Sequence, residues 1–211
     1  MILVIDGPPA SGKSTLARSL AHNYRAKTLC YKRLGLINTL SALLLKIMKS
    51  KRSYRLGGDR VDSVILVDSK YLEKISVLTT TLEVVYKFVI YALLLSLALL
   101  KQDLVVDEGV SLGWANYLNL MLSKNALTPN QVSILMRLDL MIFRTLSKIQ
   151  KIYYYFIDKG LRKLEILWRK RGNIAPYDVK YFLMVKYSFN LFASVYRRNG
   201  VNAIVKRIYM P

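Results

Sequence analysis

Residues 7–14 read Gly7-Pro8-Pro9-Ala10-Ser11-Gly12-Lys13-Ser14 and fit G-x-x-x-x-G-K-[ST] without a mismatch. The chemistry of that spacing is polyphosphate binding. Gly7 and Gly12 have no Cβ, so the backbone can turn sharply and approach a phosphate. Successive N–H groups then point inward as an anion nest, and a helix beginning near Lys13 adds its positive dipole end. In such a loop Lys13 reaches the β- and γ-phosphates and the Ser14 hydroxyl ligates Mg²⁺, with Thr15 beside the α-phosphate. The pattern implies a nucleoside triphosphate with Mg²⁺ as cofactor.

A second constellation follows at residues 104–109, Leu-Val-Val-Asp-Glu-Gly. A short apolar run that ends in adjacent carboxylates reads as a buried strand delivering acids to a crevice. Beside a phosphate loop, a carboxylate in the position of Asp107 holds Mg²⁺. Glu108 points toward an acceptor and orients or deprotonates it. A surface turn is the alternative. Against it, the chain has only 13 Asp and Glu against 33 Lys and Arg, yet places two acids together after an apolar run.

These residues need elements to position them. Ile2-Leu3-Val4-Ile5 reads as a buried parallel strand, and Ser14 to Ala21 has helical spacing. That strand–loop–helix context distinguishes the motif from a Gly/Pro-rich turn that matches by chance. Residues 26–31 form a short second strand. Its C-terminal end would put Tyr31, Lys32 and Arg33 near a substrate, because ligands lie at the carboxyl ends of strands in an open parallel sheet. Residues 36–48 read as an amphipathic helix, 49–60 as a basic loop, and 61–76 as mainly helical. Residues 80–100 read as the longest helix, apolar on nearly all sides and therefore central. Thr128-Pro129-Asn130-Gln131 is a capping box with proline at the first helical position, starting a helix to about residue 149. Residues 151–157 read as a strand, 161–170 as a helix, 179–198 as a closing helix and 201–205 as a fifth strand.

Composition bounds the rest. The chain has 211 residues, 53% of them hydrophobic, enough for one α/β domain spanning 1–211. Residues 88–100 are uncharged, but a membrane span needs about eighteen apolar residues or more. A buried core helix is the expectation, with no transmembrane segment. Cys30 is the single cysteine, which leaves no intrachain disulfide and suits a cytoplasmic protein. The lone His22, away from the loop, reads as a surface or packing residue rather than a catalyst. The net charge is +20. Candidate partners are therefore a nucleotide substrate and nucleic acid held by the basic surface; a second copy of the chain is a further candidate.

Three stretches in order resemble the P-loop nucleoside monophosphate kinases, in particular the thymidylate kinase-like branch. They are residues 5–15, whose wording is also similar to cytidylate kinases; the strand ending at Asp107-Glu108-Gly109 after a long helix; and the strand–helix pair that leads through Arg169-Lys170-Arg171-Gly172 to a helix containing Tyr187. The resemblance implies a five-stranded parallel sheet in the order 2-3-1-4-5 flanked by helices. It also implies a lid near 168–177, in which Arg169 and Arg171 stabilise charge on the moving phosphoryl group, and a match of Arg33 to the arginine after the second strand. Glu108 departs from the pattern, standing where thymidylate kinases carry arginine. The readings that remain are a nucleoside monophosphate kinase, a nucleoside or 5′-hydroxyl polynucleotide kinase, and a nucleotide- or nucleic-acid-binding protein without transfer. A motor ATPase or GTPase is disfavoured by the absence of an N/T-K-x-D motif.

Overall fold

The structure, a computed structural model, describes residues 1–30, 76–122, 127–170, 179–198 and 203–209. The expected helix at 36–48, the basic loop at 49–60 and the 61–75 segment lie outside these residues, as do Tyr31, Arg33, Arg171 and lid residues 171–177.

The strands are β1 (Ile2–Asp6), β2 (Lys27–Cys30), β3 (Leu104–Asp107), β4 (Ile152–Asp158) and β5 (Ala203–Tyr209). They form one parallel sheet in the order β2-β3-β1-β4-β5, as the resemblance implied. β1 lies at the centre and all five of its residues are buried. A strand covered on both faces has to be apolar without alternation, which is why Ile2 to Ile5 contains no polar residue. The described helices are α1 (Lys13–Asn23), α2 (Ser76–Leu99), α3 (Val110–Leu122), α4 (Pro129–Ile149), α5 (Leu161–Lys170) and α6 (Val179–Arg198).

The sheet's two faces are covered unequally. Leu3, Ile5, Val105 and Ile157 pack against Ala17 and Ala21 of α1. Ile2, Val4, Val106, Tyr154 and Phe156 face a larger core built from α2, α3, α4 and α6, with Trp114, Phe143 and Phe192 at its centre. α4 starts with the capping box read from the sequence: the Gln131 N–H donates to Thr128 Oγ1 at 3.3 Å, and the Thr128 N–H donates to Gln131 Oε1 at 2.8 Å.

α2 differs from expectation. Ile90 and Leu94 are fully buried, but Val85, Phe88 and Val89 are at least half exposed. A helix on a layered fold buries one stripe against its neighbours, so an all-round apolar sequence leaves the other stripe facing outward. The inward stripe carries charge. Lys87 Nζ lies 2.5 Å from Asp139 Oδ1 on α4, and the Tyr117 hydroxyl of α3 donates to Glu83 Oε1 at 2.6 Å. By length and composition the segment Thr80–Leu99 is long and apolar enough to cross a membrane. In this fold its buried charges are paired within the domain.

β5 continues beyond the expected end at residue 205, to Tyr209. Its pairing with β4 runs from Ile152↔Ala203 to Asp158↔Tyr209 and so includes Lys206 and Arg207. As an edge strand it tolerates those charges, which a central strand would not. His22 is exposed on α1.

Candidate active site

The phosphate loop joins β1 to α1. Gly12 caps α1 with φ 93°, a left-handed value that glycine adopts without strain. Gly7 is required for space: a Cβ there would lie 2.8 Å from the Ile157 carbonyl oxygen and 2.9 Å from Ser11 Oγ. The Ser11 N–H closes the loop onto the Pro8 carbonyl at 3.2 Å. Ser11 Oγ is buried with no hydrogen-bond partner, a group that normally finds one. α1 has no side-chain cap and no acid in its first turn, so nothing local neutralises its positive end. An inward-turned hydroxyl, a glycine pressed against its neighbours and an uncapped helix N-terminus fit a bound polyphosphate.

Lys13 opens α1 and is only 6% exposed. Its ammonium turns inward, 3.5 Å from Glu108 Oε1 and 3.5 Å from the Pro8 carbonyl oxygen. The attraction of a carboxylate and a carbonyl, strengthened away from bulk water, outweighs exposure there. Ser14 is half-buried and Thr15 exposed.

The carboxylate turn lies alongside. Asp107 ends β3 in register with Ile5 of β1 and Cys30 of β2, next to the strand that feeds the loop. Glu108 has φ 66°, an uncommon value for a residue with a Cβ. Its N–H donates to the Ile5 carbonyl at 3.0 Å. The structure thus brings together two sequence-predicted residues, Lys13 and Glu108, from segments nearly a hundred positions apart.

Two functional candidates were missed in the sequence, Asp6 and Tyr154. Both are fully buried. The Tyr154 hydroxyl donates to Asp6 Oδ2 at 2.5 Å and accepts from the Val110 N–H at 2.8 Å. Asp6 Oδ2 also accepts from the Ser111 N–H at 2.9 Å, and Asp6 Oδ1 from the Gly7 N–H at 2.7 Å. Burial, and after it the Asp6 charge, pushes the Tyr154 phenol well above its ordinary range. A carboxylate at the end of a wholly apolar strand was the available signal for Asp6. Nothing in the tyrosine-rich run 153–155 singles out the middle one except its alternation toward the larger core.

Arg169 is exposed at the end of α5, and its Nη2 lies 2.6 Å from Glu165 Oε1 one turn back on the same helix. A further cluster lies at the end of β4. Asp158 is buried, with Lys186 Nζ at 2.5 Å and Arg207 Nη1 at 3.5 Å. Among the described residues no group of three or more His, Cys, Asp and Glu side chains could hold a metal ion by itself. A divalent cation at Ser14 and Asp107 would therefore need ligands from bound phosphate or water.

No family model and no curated protein matches the sequence. Solved structures do match the fold. A deoxyadenosine kinase from M. mycoides with bound dCTP aligns with a TM-score of 0.52 and 10% identity, covering 99% of this chain and 90% of that one. The same enzyme with bound dATP aligns at 0.51 and 9% identity, over 99% and 91% of the two chains. A thymidylate kinase from Candida albicans aligns at 0.49 and 14% identity, over 99% and 83%. With its parallel sheet ordered 2-3-1-4-5 and a glycine-rich loop leaving the central strand, this chain shares the fold of the deoxyadenosine kinase structures.

Proposed function

We propose that the chain is an ATP-dependent phosphotransferase that moves the γ-phosphate of MgATP to a nucleotide, with a thymidylate-like nucleoside monophosphate as the leading acceptor. One observation carries the reading: the phosphate loop and the carboxylate turn meet, with Lys13 Nζ 3.5 Å from Glu108 Oε1. The loop lysine and Glu108 then lie side by side, at the strand end that carries Asp107, an arrangement in keeping with phosphoryl transfer.

Bound MgATP would supply the transferable phosphoryl group and a divalent charge beside it. Toward it, the backbone from Gly7 through Pro8, Pro9, Ala10 and Ser11 to Gly12 cradles phosphate oxygens, with Thr15 beside the α-phosphate. Lys13 neutralises charge between the β- and γ-phosphates. Ser14 and Asp107 hold the cation. Glu108 orients the acceptor hydroxyl or phosphate and takes up its proton. Arg169 and Arg171 act from the lid, Arg169 exchanging its Glu165 partner for phosphate. Tyr31 and Arg33 contact the acceptor. The cytoplasm is the proposed compartment. Binding of nucleic acid to the basic surface and pairing of two copies belong to the same proposal.

A second reading, a nucleoside kinase, is favoured by Glu108 itself. A carboxylate beside the acceptor repels an acceptor phosphate, by about 4 kcal/mol for like charges about 4 Å apart at an effective dielectric constant of about 20. A neutral hydroxyl is not repelled. The aligned deoxyadenosine kinase structures are in keeping with this acceptor class.

The test is transfer from γ-labelled ATP, with Mg²⁺, to a panel of nucleosides, nucleoside monophosphates and 5′-hydroxyl oligonucleotides. Label in a diphosphate supports the first reading and label in a monophosphate the second. Label in the oligonucleotide points to a polynucleotide kinase. Salt-dependent oligonucleotide binding without any label would overturn phosphotransfer.

A further inference from the structure

The Glu108 turn is held in a way its own sequence does not provide. Glu108 occupies the left-handed region, and Gly109 then leads directly into α3. A helix N-terminus presents N–H groups without intrahelical acceptors, usually met by a Ser, Thr, Asp or Asn at the cap. Gly109 has no side chain to offer. The acceptors come from elsewhere in the fold: the Val110 N–H donates to the Tyr154 hydroxyl at 2.8 Å and the Ser111 N–H to Asp6 Oδ2 at 2.9 Å.

The same Asp6 carboxylate accepts from Gly7, the first amide of the phosphate loop, at 2.7 Å. One carboxylate therefore ties the start of the loop to the start of the helix behind the carboxylate turn. Tyr154 holds that carboxylate from below, through its 2.5 Å hydrogen bond. The Tyr154 ring is itself held by Phe143, Phe189 and Phe192, with centroids at 5.8, 6.3 and 4.8 Å. Space is also closed off. A Cβ on Gly109 would lie 2.1 Å from the Tyr154 hydroxyl oxygen and 2.8 Å from Asp6 Oδ2.

We propose that Asp6 and Tyr154 form a buried clamp that sets the Glu108 carboxylate against Lys13, and that Tyr154 is a positioning residue acting through Glu108. The network is fully buried and charge-assisted, conditions that hold geometry tightly. Backbone in a sparsely populated conformation persists only where its surroundings over-determine it, and here the over-determination comes from the clamp. The role assigned to Glu108 rests on the phosphotransfer reading above.

The experiment compares Tyr154→Phe, Glu108→Gln and the double variant. Tyr154→Phe keeps the ring and removes both hydroxyl hydrogen bonds. Its kcat should fall about tenfold or more, because a small displacement of a catalytic group is costly, while KM for ATP stays within about twofold. In the Glu108→Gln background the same change should cost nothing further. Equal factors in both backgrounds would mean that Tyr154 serves stability alone, and would overturn the proposal. Should Tyr154→Phe fail to fold, Asp6→Asn takes its place in the same cycle. A parent protein that transfers no phosphate would sink the phosphotransfer reading separately. The clamp is then read by amide hydrogen exchange at Val110 and Ser111: faster exchange in Tyr154→Phe supports it, and unchanged exchange overturns it.

Discussion

The phosphate loop and the carboxylate turn are both strained strand-to-helix connections, and they are held by different means. The loop takes its left-handed backbone at Gly12, where glycine fits, and at Ala10, with φ 63°. It closes on itself through Ser11 and Pro8, three residues apart. The turn takes its left-handed backbone at Glu108, where a side chain resists it, and is tied down by residues 44 and 105 positions away. A loop whose backbone closes within a few residues can be recognised by a short pattern. The acids of the turn are legible too, but the acceptors it borrows from β1 and β4 are not, because they depend on the sheet order. Breaking the first should therefore cost chemistry, and breaking the second should cost structure as well.

The largest expected effect is on the loop side. Lys13→Ala should lower phosphoryl transfer by about 10²–10³-fold or more, the typical loss for one preorganised charge-stabilising group. The fold should persist, since α1 retains its Ala17 and Ala21 contacts with the sheet. Steady-state kinetics and far-ultraviolet circular dichroism would check both parts. Undiminished transfer would remove the loop from the mechanism.

The comparison sharpens with two alanine substitutions at glycine. At Gly109 the added methyl meets Tyr154 and Asp6, whereas at Gly12 nothing lies within 4 Å and only the φ of 93° objects. Gly109→Ala should cost about 2–3 kcal/mol of unfolding free energy, as overpacked sites do. Gly12→Ala should cost about 1–2 kcal/mol, the strain of a left-handed alanine. Denaturant titration separates the two, and the reverse order would mean that the turn yields more easily than the contacts suggest.

The smallest effect is a pH slope. Burial, with Asp6 next, raises the Tyr154 phenol well above 10.0, and burial raises Tyr196 to about 12. Both tyrosines keep their protons when folded at a pH where the unfolded chain begins to lose them. Their contribution to stability is therefore complete below about pH 10 and is lost as pH rises, toward about 12 for Tyr196 and in the same direction for Tyr154. Unfolding midpoints measured between pH 8 and pH 11.5 should decline above pH 10, less steeply in Tyr154→Phe and in Tyr196→Phe. An unchanged slope in both variants would place the alkaline loss elsewhere.

Much of the fold was legible because its signals are local. The glycine spacing of the loop and the Thr128 capping box complete their own dihedral requirements or hydrogen bonds within a few residues, and the apolar run of β1 and the acids after Val106 are marked by local composition. The candidate site was legible in its charged members, Lys13, Asp107 and Glu108. The burial of Lys13 was not, because it depends on the carboxylate that β3 delivers 3.5 Å away. The outward face of α2 was illegible for a related reason. Apolar periodicity reports what a helix can bury, and only the layer order decides which stripe meets a neighbour.

By itself, then, the sequence determined a strand, a glycine-rich turn, a helix start and a pair of strand-end acids, since backbone sterics and hydrogen bonding act over short spans. The tertiary structure decided which of those pieces face each other. It paired Lys13 with Glu108, set Lys87 of α2 against Asp139 of α4, and brought Asp6 and Tyr154, 148 positions apart, within one hydrogen bond. Such contacts join segments far apart in the chain, so they exist only in the assembled fold, where each buried polar group must find its partner or lose water without compensation.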